Sequence, residues 1–584
     1  MKVSDLIAKK LSEYTDYAFT GQGGSVVHIL DSLETQNKIK IIPSQNEQGA
    51  SLAADAYTRT TGKIGLVIAT SGPGILNTLQ GMACSYYDSI PGIYISGAPV
   101  RSALKTNKAI RQVGFQEMDM DDIVKSFTKH SVRLLDPDCV LYEIDKAIDI
   151  AVSGRPGPVL IDLPDDIQRL DVSELNQKKF IKKENKIKII DDHLESFFEH
   201  LKLAKRPLVI YGNGIKTGKA EEIALKFNKK YQVPYSATWA VHDVFQSSDH
   251  NNVGGFGVYA TRHGNFAVEN SDLLIILGSR LNGTLTGSSR VKFSPKSKKI
   301  QIDIDENELD IENNFKLDLR IHGNVKDFLS KVLHMEKKIN INKEWMVKIQ
   351  NWKQKYPVLK EKKEYEKQKK NINPYYFFNT LSKLTSEGDV IIPDASANLV
   401  WAYQSYQISK KQKIFTSLNH SPMGYSVAAS LGAALPIHGN KNVIATIGDG
   451  SMQMNIQEIE NIKYYNLPIK IFLINNQGYG MVKQTIDTWL DSKYVGCDTN
   501  SGLSLPNFRK VFEAYGIKTI LISNHSEMIV KINETLKFKG PVMCEVMVDE
   551  NERIIPKTQA GSPLYDMQPK LSDEELKSNL INRD

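Results

Sequence analysis

Apolar runs that each end at a glycine or acid and lead into a helical stripe recur along the whole chain. Val443-Ile444-Ala445-Thr446-Ile447 ends at Gly448-Asp449-Gly450-Ser451, and residues 469–474 end at Asn475-Asn476-Gln477-Gly478. Residues 39–42 lead into Asn46-Glu47-Gln48-Gly49-Ala50, where Ala50, Ala53, Ala54 and Tyr57 lie on one helical face. Residues 66–69 lead into Thr70-Ser71-Gly72-Pro73-Gly74 and a helix through Asn77, Gly81 and Ala83. Residues 206–211, 272–277 and 299–305 are further strands, the first two ending at Gly212-Asn213-Gly214 and Gly278-Ser279-Arg280, the third in acids. Residues 390–392 precede Asp394-Ala395-Ser396-Ala397-Asn398. β-Branched runs of this length read as buried strands. Their alternation with helices predicts parallel sheets covered on both faces, an α/β fold of doubly wound domains.

The pattern divides into three such units. The first spans 1–165 and the second 191–335, joined by a linker at 166–190 rich in Lys, Asn and Asp. A Lys- and Glu-dense stretch at 336–372, with helical spacing around Trp345, Ile349 and Trp352, is expected as a solvated connecting helix. The third unit spans 373–555. A polar tail, 556–584, carries Pro556, Pro563 and Pro569 and is expected to wrap over the surface or the mouth of a site.

Composition narrows the function classes. At 584 residues, 41% hydrophobic and 24% charged, the chain suits a soluble protein of two to four domains. A net charge of +7 is small for this length, and the Lys runs lack interleaved aromatics, so no nucleic-acid partner is expected. Cys84, Cys139, Cys497 and Cys544 are scattered without a CxxC, which argues for a reducing compartment and against disulfides or a zinc site. Neither a signal peptide nor a bilayer-spanning run is apparent, so no membrane partner is expected and a cytoplasmic enzyme is the default.

The chemistry concentrates at strand ends, where open α/β sheets bind ligands. Glycines there let the backbone turn and approach a phosphate. Asp449, the amide oxygen of Asn476 and a nearby main-chain carbonyl are hard oxygen donors, suited to Mg²⁺ bridging to a diphosphate. Alone, Gly448-Asp449-Gly450 also reads as a tight turn with a helix-capping Asp. Glu47, at a strand-to-helix junction, also reads as a first-turn Glu favoured by the helix dipole.

Gly-Asp-Gly, a spacer ending in a strand, and Asn-Asn together resemble the thiamine diphosphate signature. The resemblance implies Mg²⁺ held by Asp449, Asn476 and the carbonyl of Gly478, with Gly448, Gly450, Ser451, Tyr479, Gly480 and Met481 around the cofactor. Asn46-Glu47-Gln48-Gly49-Ala50, Thr70-Ser71-Gly72-Pro73-Gly74, Asp88-Ser89-Ile90-Pro91, Phe115-Gln116-Glu117, Thr128-Lys129-His130 and the 157–164 segment look like the acetolactate synthase family, in order and spacing. Its three domains would be pyrimidine-binding, central nucleotide-binding-like and diphosphate-binding.

That likeness assigns Glu47 to the aminopyrimidine ring, where a carboxylate favours the tautomer that activates the cofactor. It places Ser396 and Asn398 near the diphosphate and Met423 under the bent cofactor. Gln22, Phe115, Gln116 and Met481 would lie near the second carbonyl compound. Gly212, Gly214, Arg280, Asp303, Asp305 and Asn324 would contact FAD, although related enzymes bind ADP there or nothing. The implied reaction decarboxylates pyruvate, a 2-keto acid, and joins the two-carbon unit to a second 2-keto acid, as in branched-chain amino acid biosynthesis. The implied assembly is a homodimer or homotetramer with sites between subunits and a possible regulatory subunit.

The sequence departs from the family in several places. Leu281-Asn282-Gly283-Thr284 replaces Phe-Asp-Asp-Arg, and Gly257-Val258-Tyr259-Ala260 replaces a loop with His and Gly. Ala397-Asn398 stands for Gln-His, Thr20-Gly21-Gln22-Gly23-Gly24 for Gly-Tyr-Pro-Gly-Gly, and Thr485 for an acceptor-pocket Trp. These keep two alternatives open: a carboligase acting on another ketone, such as a nucleotide-linked keto-sugar in surface-glycan synthesis, and a non-catalytic cofactor-binding protein.

Overall fold

A computed structural model describes residues 1–182, 187–310, 316–366, 370–437 and 441–581. Lys183 and Lys186 of the linker lie outside the described residues. Three parallel sheets organise the chain. The first holds β1 (Tyr17–Gly21), β2 (Lys40–Pro43), β3 (Gly65–Ala69), β4 (Gly92–Ala98), β5 (His130–Arg133) and β6 (Pro158–Pro164) in the order β2-β1-β3-β4-β6-β5. The second holds β7 (Pro207–Tyr211), β8 (Tyr235–Ala237), β9 (Leu273–Leu277), β10 (Lys298–Asp303) and β11 (Leu319–His322) in the order β11-β10-β9-β7-β8. The third holds β12 (Val390–Pro393), β13 (Lys413–Ile414), β14 (Val443–Gly448), β15 (Ile469–Asn475), β16 (Lys518–Ile522) and β17 (Val542–Met547) in the order β13-β12-β14-β15-β17-β16. A small antiparallel hairpin, β18 (Lys557–Thr558) and β19 (Met567–Gln568), lies in the tail.

The three sheets share one topological device. In each, the first strand is flanked by the second on one side and the third on the other. The chain therefore reverses its winding direction between β1 and β3, between β7 and β9, and between β12 and β14. The crevice outside the carboxyl ends of such a strand pair is where open α/β sheets take ligands. Every residue of β3, β4, β6, β7 and β9 is buried, as strands covered on both faces require.

The first and third domains pack through two helices rich in small residues, Glu47–Thr61 and Tyr425–Ala434. A Cβ on Gly432 would collide with the Ala53 carbonyl, so only glycine permits this approach. The helix expected through Asn77, Gly81 and Ala83 is broken into Pro73–Asn77 and Leu79–Asp88.

The charged stretch after the second domain is not simply a solvated connector. Its helix Lys343–Lys355 buries one face, Trp345, Ile349 and Trp352. Trp345 Nε1 donates to the Pro207 carbonyl at 3.1 Å, and Trp352 Nε1 to Asn579 Oδ1 at 2.8 Å. The tail docks on the same domain. Arg262 donates to the Pro569 carbonyl at 2.5 Å and Asn265 Nδ2 to the Leu564 carbonyl at 2.8 Å.

Candidate active site at the sheet edges

In the third sheet Gly448 pairs with Ile474, so β14 and β15 end together and deliver Asp449 and Asn476 to one edge. Both side chains are buried. Asp449 Oδ1 accepts from the Gly450 N–H at 2.6 Å and Oδ2 from the Gly478 N–H at 3.1 Å. Burial pushes the Asp449 carboxyl up to about 6, against the pull of those backbone donors. A buried carboxylate held by N–H groups alone is poorly compensated, and a cation would compensate it.

The glycines set the shape of this edge. A Cβ on Gly450 would collide with the Tyr479 ring, and one on Gly480 would lie 2.7 Å from Asn476 Nδ2. A Cβ on Gly448 would meet nothing within 4 Å, which leaves that backbone open to approach. Asn398 donates to the Thr446 carbonyl at 2.8 Å, while its buried Oδ1 has no partner among the described residues. A hard carboxylate, an amide oxygen and main-chain carbonyls beside an open glycine backbone fit Mg²⁺ and a diphosphate.

Asp394, at the end of β12, is wholly buried and ties this edge together. Its oxygens accept from Gly424 N at 3.1 Å and Ser426 N at 2.8 Å, and the Ser451 hydroxyl also bonds it. It thus caps the helix Tyr425–Ala434, fixes the turn after the half-buried Met423, and braces the residue two beyond Asp449. Ser396, with φ +71°, starts the helix Ala397–Ser405 at the same crevice.

The crevice of the first sheet gathers the other candidates. Glu47 opens its helix after β2, and its Oε2 accepts from Asn77 Nδ2 at 2.9 Å. A Cβ on Gly21 would run into the Glu47 side chain, and Gln22 follows as an exposed residue. Gln116, with φ +59°, sits on Gly72 of the turn after β3. Phe115 beside it is 84% exposed. Buried Glu117 anchors this loop by accepting from the backbone N–H of Lys105, Val113 and Gly114. Burial raises its pKa, but these donors outweigh burial and hold it below the usual carboxylate range.

Within one chain, the Glu47 carboxylate touches its own domain. Its neighbours reach the third: Asn46 N donates to Glu458 Oε1 at 3.1 Å, and Gln48 Nε2 to Asn455 Oδ1 at 3.4 Å.

The middle crevice opens into a cavity of about 350 Å³, within the usual size of small-molecule sites. Gly214, Arg280, Asp303 and Asn324 line it from the second domain, and Ser396 and Met481 from the third. Gly212 does not line it but packs on Gly278, where a Cβ would collide with the carbonyl. Asp305 pairs instead with Arg155, at 3.2 Å, and Arg155 lines the cavity. Burial and then the Arg155 charge lower the Arg280 pKa. Burial pushes the Asp303 carboxyl up to about 6. The lining thus offers glycine backbone, two guanidinium groups (Arg155 and Arg280) and three acids (Asp88, Asp303 and Glu308).

The descriptions "Thiamine pyrophosphate enzyme, N-terminal TPP binding domain", "central domain" and "C-terminal TPP binding domain" match residues 1–124, 194–332 and 394–546. An acetolactate synthase large subunit of Porphyra purpurea is 32% identical over 93% of this chain and 91% of its own length. The chain belongs to the thiamine pyrophosphate enzymes, in the acetolactate synthase large-subunit family. An acetolactate synthase large subunit of Lactococcus lactis subsp. lactis (strain IL1403) is 30% identical over 96% of this chain and 94% of its own. The chloroplastic acetolactate synthase 2 of Nicotiana tabacum is 30% identical over 97% of this chain and 85% of its own. Among the described residues no helix is long and apolar enough to cross a membrane.

In this thiamine pyrophosphate enzyme, Glu47, Gln22, Phe115 and Gln116 fall in the N-terminal matched block. Asp449, Asn476, Gly478 and their neighbours fall in the C-terminal one. Sequence reasoning quoted Asp394 and Glu117 but gave neither a role. Their position at a strand end and in the 115–117 motif was the available signal.

Proposed function

We propose that the chain binds thiamine diphosphate with Mg²⁺, decarboxylates pyruvate, and joins the two-carbon unit to a second 2-keto acid to form acetolactate. The observation that carries this is the convergence of Asp449, Asn476 and Gly478 on one crevice of the domain matched as TPP-binding. Asp449, Asn476 and the Gly478 carbonyl would hold the metal, and Ser396 and Asn398 the diphosphate. Glu47 would meet the aminopyrimidine with the oxygen that Asn77 leaves free, and hold a proton there. Bound in this way, thiamine diphosphate supplies the electron sink for loss of carbon dioxide. Met423 would pack beneath it. Gln22, Phe115, Gln116 and Met481 would line the place of the second keto acid and exclude water.

The active unit we infer is a homodimer or homotetramer in the cytoplasm, Glu47 of one subunit facing Asp449 of another. Exposed apolar side chains flank both edges and support this: Phe115 and Val113 at the first, Trp489, Leu490 and Val495 at the third. A regulatory subunit remains compatible with that surface. For the middle cavity we propose FAD, at Gly214, Arg280, Asp303 and Asn324, with Gly212 packed behind this lining and Asp305 holding Arg155 at its wall. A yellow purified protein would support it, and a colourless one stabilised by ADP would replace it. Incubation with pyruvate, thiamine diphosphate and Mg²⁺ tests the main reading. Acetolactate is the expected product, and its absence with cofactor bound would overturn it.

A further inference from the structure

The helix Gly480–Trp489 carries a lysine, Lys483, in its first turn. A cation there opposes the helix dipole. The residue is also only 2% exposed, and burying an ammonium is costly without a partner. Its partner is Asp498, with Nζ 3.2 Å from Oδ2. Nζ lies 5.3 Å from the Tyr494 ring centroid and 3.8 Å from Glu550 Oε2. The other oxygen of Asp498 accepts from Ser501 N at 2.9 Å and Ser501 Oγ at 2.7 Å.

Asp498 is also tied by its backbone to the metal loop. It forms an isolated antiparallel bridge with Gly478, and the Tyr479 N–H donates to the preceding carbonyl, of Cys497, at 2.9 Å. Gly478 adopts φ +153°, and a Cβ there would collide with that same carbonyl. Lys483 N in turn donates to the Tyr479 carbonyl at 2.9 Å. The chain from Gly478 to Lys483 and the strand-like stretch Cys497–Asp498 therefore close a ring, with the ion pair as its clasp. The segment so closed contains Gly478, whose carbonyl accepts from the Gly480 N–H at 3.2 Å, and Met481, which lines the cavity.

We propose that Lys483 and Asp498 are positioning residues that hold the Gly478 carbonyl and Met481 in place for Mg²⁺ and the cofactor. The inference rests on the cofactor reading above and adds two residues to it. Neither would touch the metal. Without the ammonium, Asp498 keeps both Ser501 donors, so the loop stays folded but loses the tie that sets its distance from the helix. The Gly478 carbonyl then samples positions away from the metal, and the loss appears in cofactor binding.

The test is calorimetric titration of thiamine diphosphate with Mg²⁺ into the full chain, with amide exchange measured on the metal-free protein. K483M is expected to bind about tenfold more weakly, a ~1.4 kcal/mol change. Its Tyr479 amide should exchange faster, with the helix Glu47–Thr61 unchanged. K483R, which keeps the cation, should bind close to wild type. Unchanged binding in K483M, or equal losses in K483R and K483M, would overturn the clasp. If K483M exchanges faster throughout and so is globally unfolded, D498N is read by the same criteria. Should the wild type itself fail to bind, the cofactor reading falls, and the Tyr479 exchange comparison alone decides the clasp.

Discussion

Tyr425 donates its hydroxyl proton to Asp55 Oδ2 at 2.6 Å, across the junction of the first and third domains. Asp55 is buried and also pairs with Arg59 and accepts from Ser85, and Arg59 reaches Asp88. Asp88 in turn accepts from the backbone of Leu418 and Asn419, beside the cavity. One charged network thus fixes how the two cofactor-binding domains meet. Tyr425→Phe removes a buried donor to a charged acceptor, an interaction worth about 1.5–3 kcal/mol. Arg59 keeps Asp55 paired, so the variant should fold and lose a few degrees of thermal stability. A thermal shift unchanged from wild type would show that the junction is held by helix packing alone.

Asp449 carries the metal assignment. If Asp449 is the proposed charged ligand, Asp449→Ala removes it, and breaking a buried charge pair costs about 3–5 kcal/mol. Mg²⁺-dependent binding of thiamine diphosphate should therefore weaken by at least ~10²-fold. Calorimetry giving wild-type affinity in this variant would reduce Gly448-Asp449-Gly450 to a tight turn.

Glu47→Gln separates binding from activation. The amide still fits between Gly21 and Asn77 and should leave cofactor affinity close to wild type. It cannot hold the proton that a carboxyl holds, and acid–base roles are worth ~10²–10⁴-fold. Exchange of the cofactor's acidic carbon-bound proton, followed by NMR after acid quench, should slow by that order. Exchange at the wild-type rate would make Glu47 a helix-start carboxylate and nothing more.

The parallel sheets were legible because strands buried on both faces are written as continuous apolar runs, residues 443–447 and 273–277 being the plainest. The placement of Asp449 and Glu47 at crevices was legible because each follows such a run. What sequence reasoning missed depends on approach between distant segments. Lys483 reads as one more charge on a polar helix until the fold brings Asp498 beside it. Trp345, Ile349 and Trp352 already lie on one helical stripe, yet the lysines and glutamates between them suggested a solvated connector. The tail that covers Trp352 lies more than two hundred residues downstream. Asp394 differs again: its place at a strand end marks it as a candidate, but nothing local shows that it caps a helix starting thirty residues later.

Asp303 gives a pH dependence with a definite sign. Its folded pKa, about 6, lies above the ordinary 3.8, so the folded state holds the proton more tightly. The ionised carboxylate therefore costs stability, about 3 kcal/mol in full above pH 6–7 and nothing well below pH 4. Asp303→Asn removes that cost and can still accept from the Asp305 N–H, which lies 3.0 Å from Oδ1. The variant should melt above wild type at pH 8, with the gain roughly halved by pH 5. Asp305, Glu308 and Arg155 face the same group and are unchanged in the comparison. A gain that grows on acidification would mean that Asp303 is held ionised, by a partner such as Arg155. In parallel, loss of flavin or ADP affinity in the variant would place a ribose hydroxyl at Asp303.

On the proposed reading, the acceptor preference is tested at Thr485. Its hydroxyl donates to the Met481 carbonyl at 3.0 Å, within its own helix, and the side chain is exposed. An indole at this position would bury about 150–250 Å² against whatever covers the helix in the assembly. Without it the acceptor space is wider and more polar. Even a tight apolar pocket discriminates one methylene by only about 1–3 kcal/mol, so a wider one should discriminate less. In competition between pyruvate and 2-ketobutyrate, with products counted by mass spectrometry, the wild type should show little preference. Thr485→Trp should shift the ratio toward the 2-ketobutyrate product. A strong 2-ketobutyrate bias already present in the wild type would show that other residues, Met481 or Phe115 first among them, rebuild the pocket. Slow acetolactate formation with faster addition to a bulkier ketone would instead place the second substrate outside the 2-keto acids.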